Sequence, residues 1–407
     1  MARVGLRGIG DIVRIPAIRA ALLGTFVIML GFGILFPILP LYARSFGVGY
    51  EAVGVLAASF AVTRLVFDLV AGRVVDRIGE RRTATLGALV VGASSAAAAM
   101  APTFHLLVAF RGAGGAGSAL FFAAMLSYLL KVAPAGQVGR VMGVYFGTFN
   151  LGFIAGPPLG GFLAAWLGLA SPLWVYAASC LLAAALYHRA IHDLGTERDP
   201  DERRSGWRRL RWDRPFVATL LVNGAQTWMI GAVYGTLVPL FGRDVVGLGE
   251  VGVSTGIAVA SATEFLALYP AGAAADRFGR KAVLLPSLLV MAGVLAALGT
   301  AAGPAWFMAG LAVLGVAFGV GGVAPAAMLS DLTPAEVSGT ATGVFRFVGD
   351  LGFVLGPLAA GSSADAFGLA PAFALAAVPS LVAAALLVTI PETLAVARAR
   401  RHAETGL

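Results

Sequence analysis

The chain has 407 residues, of which 59% are hydrophobic and 12% charged, with a mean hydropathy of +0.87 and a formal net charge of +8. A water-soluble domain carries roughly 25% charged residues, so this composition excludes a globular protein with a fully wetted surface. Apolar runs of about 20 residues recur along most of the chain, each long enough to cross a bilayer as a helix, and they do not alternate as barrel strands would.

Basic residues precede the first run, but the stretch from Ala17 to Tyr42 is too long for the apolar core of a signal peptide and reads as a first span. The predicted spans are 17–42, 52–73, 83–101, 104–128, 138–165, 171–190, 215–241, 252–275, 282–302, 304–329, 337–362 and 370–390. One long polar stretch, 191–214, separates six spans from six. The expected organisation is an N-terminal half over 1–190, a cytoplasmic linker over 191–214, and a C-terminal half over 215–407 with a short basic tail.

Orientation follows from the basic residues of the short loops. Placing both termini in the cytoplasm assigns 24 of the 29 Lys and Arg residues to that side and leaves only Arg44 and Arg243 opposite. The remaining three, Arg64, Arg111 and Arg346, lie inside spans. Topology therefore accounts for the basic charge, with attraction to anionic lipid as a by-product, and no nucleic-acid partner is expected. Cys180 is a single cysteine in an apolar run, and the four histidines are scattered, so neither a disulfide nor a metal site is expected.

The halves repeat one another. Gly72, Asp76, Arg77 and Gly79 recur as Gly272, Asp276, Arg277 and Gly279, an offset of 200 residues. Gly152, Gly156 and Pro157 recur at the same offset as Gly352, Gly356 and Pro357. Ala-Ala-Met-Leu-Ser occurs at 123–127 and 326–330, and Pro40, Leu41 and Arg44 match Pro239, Leu240 and Arg243. Parallel six-helix repeats imply a transporter whose halves rock about a site at their interface.

The loop Gly72-Arg-Val-Val-Asp76-Arg77-Ile-Gly79-Glu80-Arg81-Arg82 resembles the G-x-x-x-D-R-x-G-R-[RK]-[RK] motif of the major facilitator superfamily. Glu80 stands where that motif carries Arg, whereas the second copy, ending Gly279-Arg280-Lys281, fits it better. In the fifth span, Gly152, Gly156, Pro157, Gly160 and Gly161 resemble the antiporter element G-x-x-x-G-P-x-x-G-G. In the fourth, Arg111 with Gly112, Gly115 and Gly117 is similar to R-x-x-Q-G-x-G, with Gly114 in place of Gln. Within the superfamily, the twelve-span drug:proton antiporters look closest. The resemblance implies an all-α membrane protein of twelve transmembrane helices in two pseudo-symmetric six-helix bundles. It further implies that the two loops act as gating latches, that the fifth-span element is associated with export, and that Arg111 lies near the proton path.

Charges inside spans are the sharpest chemical feature. Arg64, Asp68, Arg111, Glu264, Arg346 and Asp350 each cost about 2.5–3.5 kcal/mol at a helix centre, so they must face one another or water. Arg64 with Asp68, and Arg346 with Asp350, stand one turn apart on a helix face. Glu264 has no basic partner in its own helix and is suited to load and release a proton; Glu264 and Asp350, then Asp68, are the candidate proton carriers. By family resemblance the first, fifth, seventh and eleventh spans line a cavity. On that basis Phe26, Phe36, Tyr145, Asn150, Asn223, Gln226, Trp228 and Tyr234 are candidate substrate contacts. An apolar lining with few polar groups suits lipophilic or cationic molecules better than sugars.

The expectation is a monomeric, multi-pass inner- or plasma-membrane transporter. It exports a small molecule by proton antiport, with the proton as coupling ion and no cofactor. Lipid flipping, or metabolite uptake by symport, keeps the same fold and changes the cargo. An integral-membrane enzyme is disfavoured: no G-x-x-x-x-G-K-[ST] or H-E-x-x-H motif is present.

Overall fold

The computed structural model describes residue 12 and residues 14–134, 137–194, 210–334 and 337–395. Most of the basic N-terminal arm, linker and tail counted above lies outside the described residues. Among the described residues every regular element is helical. The helices are α1 (Pro16–Leu35, resuming as Leu39–Arg44), α2 (Tyr50–Ile78), α3 (Glu80–Ala99), α4 (Phe104–Val132), α5 (Val138–Leu167) and α6 (Ser171–Ala190). They continue as α7 (Arg214–Asp244), α8 (Glu250–Phe278), α9 (Arg280–Leu298), α10 (Pro304–Leu332), α11 (Ser338–Phe367) and α12 (Leu369–Thr389).

Nine of these helices are long and apolar enough to cross a membrane by length and composition. The other three, α3, α5 and α6, have 20, 30 and 20 residues, enough to span. The chain is an all-α membrane protein of twelve spanning helices, six in each half.

Four predicted spans are not uniform helices: α10 is interrupted at Val323 and α12 at Ala377, and α1 and α7 depart further. α1 is interrupted at Phe36–Ile38, where Pro37 and Pro40 remove main-chain donors. α7 widens over Met229–Leu237 into π-type turns, and the Thr236 hydroxyl donates to the Gly231 carbonyl, 2.9 Å away, inside that segment.

Packing divides the chain into two compact units, Met1–Gly47 with Ser59–Glu197, and Val48–Ala58 with Arg198–Leu407. In the first unit α1 packs on α5 and α6, and α3 on α4 and α6; in the second, α7 packs on α11 and α12, and α9 on α10 and α12. Small residues set these approaches. A methyl group on Gly156 would overlap the main chain of Gly33 and Ile34, and one on Gly352 the Gly224 carbonyl.

Candidate functional site

The loop motifs form a pair of related junctions. Gly79, between α2 and α3, has φ 85°, and Gly279, between α8 and α9, has φ 110°, a region that L side chains rarely adopt. An acid beyond each half's last span caps the helix that follows. Asp193 accepts from the Arg81 N–H at 2.9 Å, and Glu392 accepts from the Arg280 and Lys281 N–H groups at 2.9 and 3.0 Å.

The junctions differ in the polarity of the ion pair beside them. In the second unit Arg280 bridges Asp276 and Asp331, its Nε lying 3.1 Å from Asp331 Oδ2. In the first unit Glu80 is buried, and its carboxylate accepts from Lys131 Nζ, Ser127 Oγ and the Leu194 N–H. Positions 80 and 131 lie 200 residues before 280 and 331, so acid and base have exchanged places. Glu80, the residue that departs from the motif, is compensated by Lys131. The equivalence of Lys131 with Asp331 was the available signal for this pair. Gly72 is half-buried, Gly272 has open space around it, Asp76 is half-buried, and Arg77 and Arg277 are exposed.

Within α5, Gly152, Gly156 and Gly160 form the face against α1, and Gly161 and Pro157 are buried beside them. In this structure the antiporter element is a small-residue contact with α1, and Pro157 and Pro158 sit inside the helix.

The intramembrane charges fall in both units. In the first, Arg64 Nε lies 3.8 Å from Asp68 Oδ2, and the Arg64 guanidinium sits 4.9 Å from the Phe122 ring centroid. Arg111 is 2% exposed, its Nε and Nη1 make no hydrogen bond, and its guanidinium lies 4.6 Å from the Phe60 ring centroid. In the second unit Arg346 and Asp350 are half-buried on α11. Glu264 on α8 makes no ion pair or hydrogen bond among the described residues, and its backbone packs on Gly319 of α10. The Tyr234 hydroxyl, from the widened part of α7, is within electrostatic range of its carboxylate.

The aromatic and amide candidates separate by role. Phe36 packs edge-on against Phe153, with ring centroids 5.1 Å apart, in an aromatic cluster centred on Phe32. Phe26 is half-buried and its carbonyl lies under Gly152; Tyr145 is buried, and Asn150 is exposed. Asn223 donates to the Phe345 carbonyl at 2.8 Å, which ties α7 to α11. Gln226 is buried with neither amide atom hydrogen-bonded, and its Nε2 faces Gly321 and Ser287. Trp228 Nε1 and the Tyr234 hydroxyl are likewise buried and unpartnered, and the Tyr234 ring meets Phe318 edge-on at 5.7 Å. Along α10, Phe318 thus meets Tyr234, Gly319 the backbone of Glu264, and Gly321 the amide of Gln226. Neutral hydrogen-bonding groups and one carboxylate there can bind or release a proton or a polar ligand atom.

A two-unit helical bundle, internally repeated and with charges inside its spans, defines a multi-pass membrane transporter. The Major Facilitator Superfamily profile matches residues 21–267 and 251–405, and the chain belongs to that family. An uncharacterized MFS-type transporter of Methanocaldococcus jannaschii is 24% identical over 88% of this chain and 94% of its own length. The quinolone resistance protein NorA of Staphylococcus aureus is 28% identical over 41% of this chain and 43% of its own. Multidrug resistance protein 1 of Bacillus subtilis is 28% identical over 48% of this chain and 51% of its own. The chain thus spans about half the length of these two resistance proteins. Among solved structures, the nucleoside transporter NupG superposes with a TM-score of 0.75 at 14% identity, covering 92% of this chain and 99% of that one. A bacterial homologue of the human lysosomal transporter Spinster gives 0.72 at 16% identity, covering 94% and 95%. These structures share the fold.

Proposed function

We propose that this transporter is a proton-coupled exporter of small hydrophobic or cationic compounds, working as a monomer by alternating access of its two halves. The observation that carries this reading is Glu264, a carboxylate inside a spanning helix with no ion pair or hydrogen bond among the described residues. A charge so placed costs about 2.5–3.5 kcal/mol, which proton uptake or a bound cation relieves. The fifth-span element and the likeness to two resistance proteins over about half their length support export of drug-like molecules. The basic loops support a cell-membrane location with both termini in the cytoplasm. Asp350 and Asp68 are the further carriers proposed, and Gln226, Trp228 and Tyr234 the polar contacts with cargo.

Proteoliposomes test this directly. Adding ethidium to vesicles with an imposed pH gradient is expected to drive proton movement that an internal pH dye records. Glu264→Gln is expected to abolish it, and Glu264→Asp to retain part. If no lipophilic cation moves protons through the unmodified protein, or Glu264→Gln leaves the coupled flux intact, the reading is wrong.

A further inference from the structure

Thr263, Leu266, Ala267 and Pro270 of α8 face Val316 and Val320 of α10 across an open groove of about 450 Å³. Its walls are apolar, because the one hydroxyl among them, Thr263 Oγ1, is spent on the Ala312 carbonyl at 3.0 Å. Leu266 is 73% exposed, so no other part of the described chain covers this wall. The groove exists because α8 is thin here. Ala267 stands where the first half carries Phe67, and Val320 where it carries Leu120.

The face does not end with the groove. Thr263, Ala267, Pro270, Ala274 and Arg277 follow one another at steps of four and three residues and share one stripe of α8. Arg277 closes the stripe. It is exposed, makes no ion pair among the described residues, and lies 5.1 Å from the ring centroid of Phe278, which is itself 65% exposed. Its neighbours Asp276 and Arg280 pair with each other, leaving Arg277 as an uncommitted cation. Pro270 and Arg277 are separated by about 10 Å of helix, so an amphiphile in the groove would bring its head group to the guanidinium.

We propose that the α8–α10 groove and Arg277 form a binding site for an anionic phospholipid, one acyl chain in the groove and the phosphate on the arginine. A water-soluble ligand would find no polar group in the walls to orient it. A lipid needs none there, and its phosphate matches the planar donors of Arg277 at the end of the span. This inference rests on the membrane fold alone and stands whatever the cargo is.

Native mass spectrometry of the full chain, released from detergent with equimolar dioleoylphosphatidylglycerol and dioleoylphosphatidylcholine, tests the site. The unmodified protein is expected to keep a one-to-one adduct enriched in phosphatidylglycerol. Arg277→Ala is expected to reduce that enrichment about fivefold, the worth of one basic residue near an anionic surface. Ala267→Phe, which installs the first half's ring, is expected to weaken adducts of both lipids. Leu266→Ala, which shortens one wall of the groove at a largely exposed position and adds no polar group, is expected to do the same and decides the matter if Ala267→Phe does not fold. Equal binding of the two lipids by the unmodified protein overturns the proposal, as does enrichment that survives Arg277→Ala. Adducts that both groove variants leave unchanged overturn it too.

Discussion

Glu80 shows how a departure from a motif can be compensated elsewhere in the chain. Its carboxylate is 1% exposed and holds three donors, so deleting Lys131 leaves a buried charge with only neutral partners. Lys131→Ala is expected to lower unfolding stability by about 2–3 kcal/mol, at the modest end for a buried pair because Lys131 is partly exposed. The double variant Glu80→Arg with Lys131→Asp reproduces the Arg280–Asp331 polarity and is expected to recover most of that loss in a thermal melt. If the two changes simply add, the pairing is not what matters. Gln226 is the opposite case, a buried amide with both ends unpaired. Gln226→Met removes two unsatisfied groups at similar volume and is expected to stabilise the protein by about 1 kcal/mol. The same change is expected to impair transport, the usual exchange at a binding site. A variant that is no more stable would place an ordered water on that amide.

At the scale of the helix, close approach and capping govern stability. Gly156→Ala puts a methyl group into the main chain of α1, where no flexible side chain can yield, and is expected to cost about 1–3 kcal/mol. Gly143→Ala, on the same helix with open space around it, is expected to be neutral, and comparing their melting temperatures checks the contact. Much at this scale was legible in the sequence. Hydropathy located the helices because a lipid-facing segment must be apolar for about 20 residues. The glycine spacing in α5 announced a close contact, but not its partner, since any helix could have filled that groove. The widened turns of α7 left no mark, because a π-type turn has no hydropathy or capping signature that separates it from the α-helix around it. The bond from Asn223 to the Phe345 carbonyl was illegible for the same reason: a polar side chain on a spanning helix reads alike whether or not a neighbouring helix supplies it a partner. The acids that cap α3 and α9 were missed because Asp193 and Glu392 are more than 100 residues from the N–H groups they serve.

Over the whole molecule, the 200-residue repeat describes the pairing of helices but not the boundary between packing units. α2 is divided: its start, within Val48–Ala58, packs with the second unit, and the rest of the helix belongs to the first. Named contacts hold that start. Asp365 at the end of α11 accepts from the Tyr50 and Glu51 N–H groups at 3.0 and 2.7 Å, and the Tyr50 hydroxyl donates to Asp244 at 2.9 Å. The first turn of α2 therefore borrows its cap from a helix more than 300 residues away, and the carboxylate also complements the positive end of the helix dipole. Nothing in the local sequence of α2 supplies that cap, so its first turn depends on Asp365 staying in place. Asp365→Ala is expected to reduce amide protection over residues 50–58 about fivefold, the equivalent of one lost cap, while leaving α8 and α10 unchanged. Asp365→Asn keeps one acceptor oxygen and is expected to fall between. Hydrogen–deuterium exchange of the full chain in nanodiscs reads this segment directly, and protection that survives Asp365→Ala would show that packing of Gly54 against Pro357, not the carboxylate, anchors the helix.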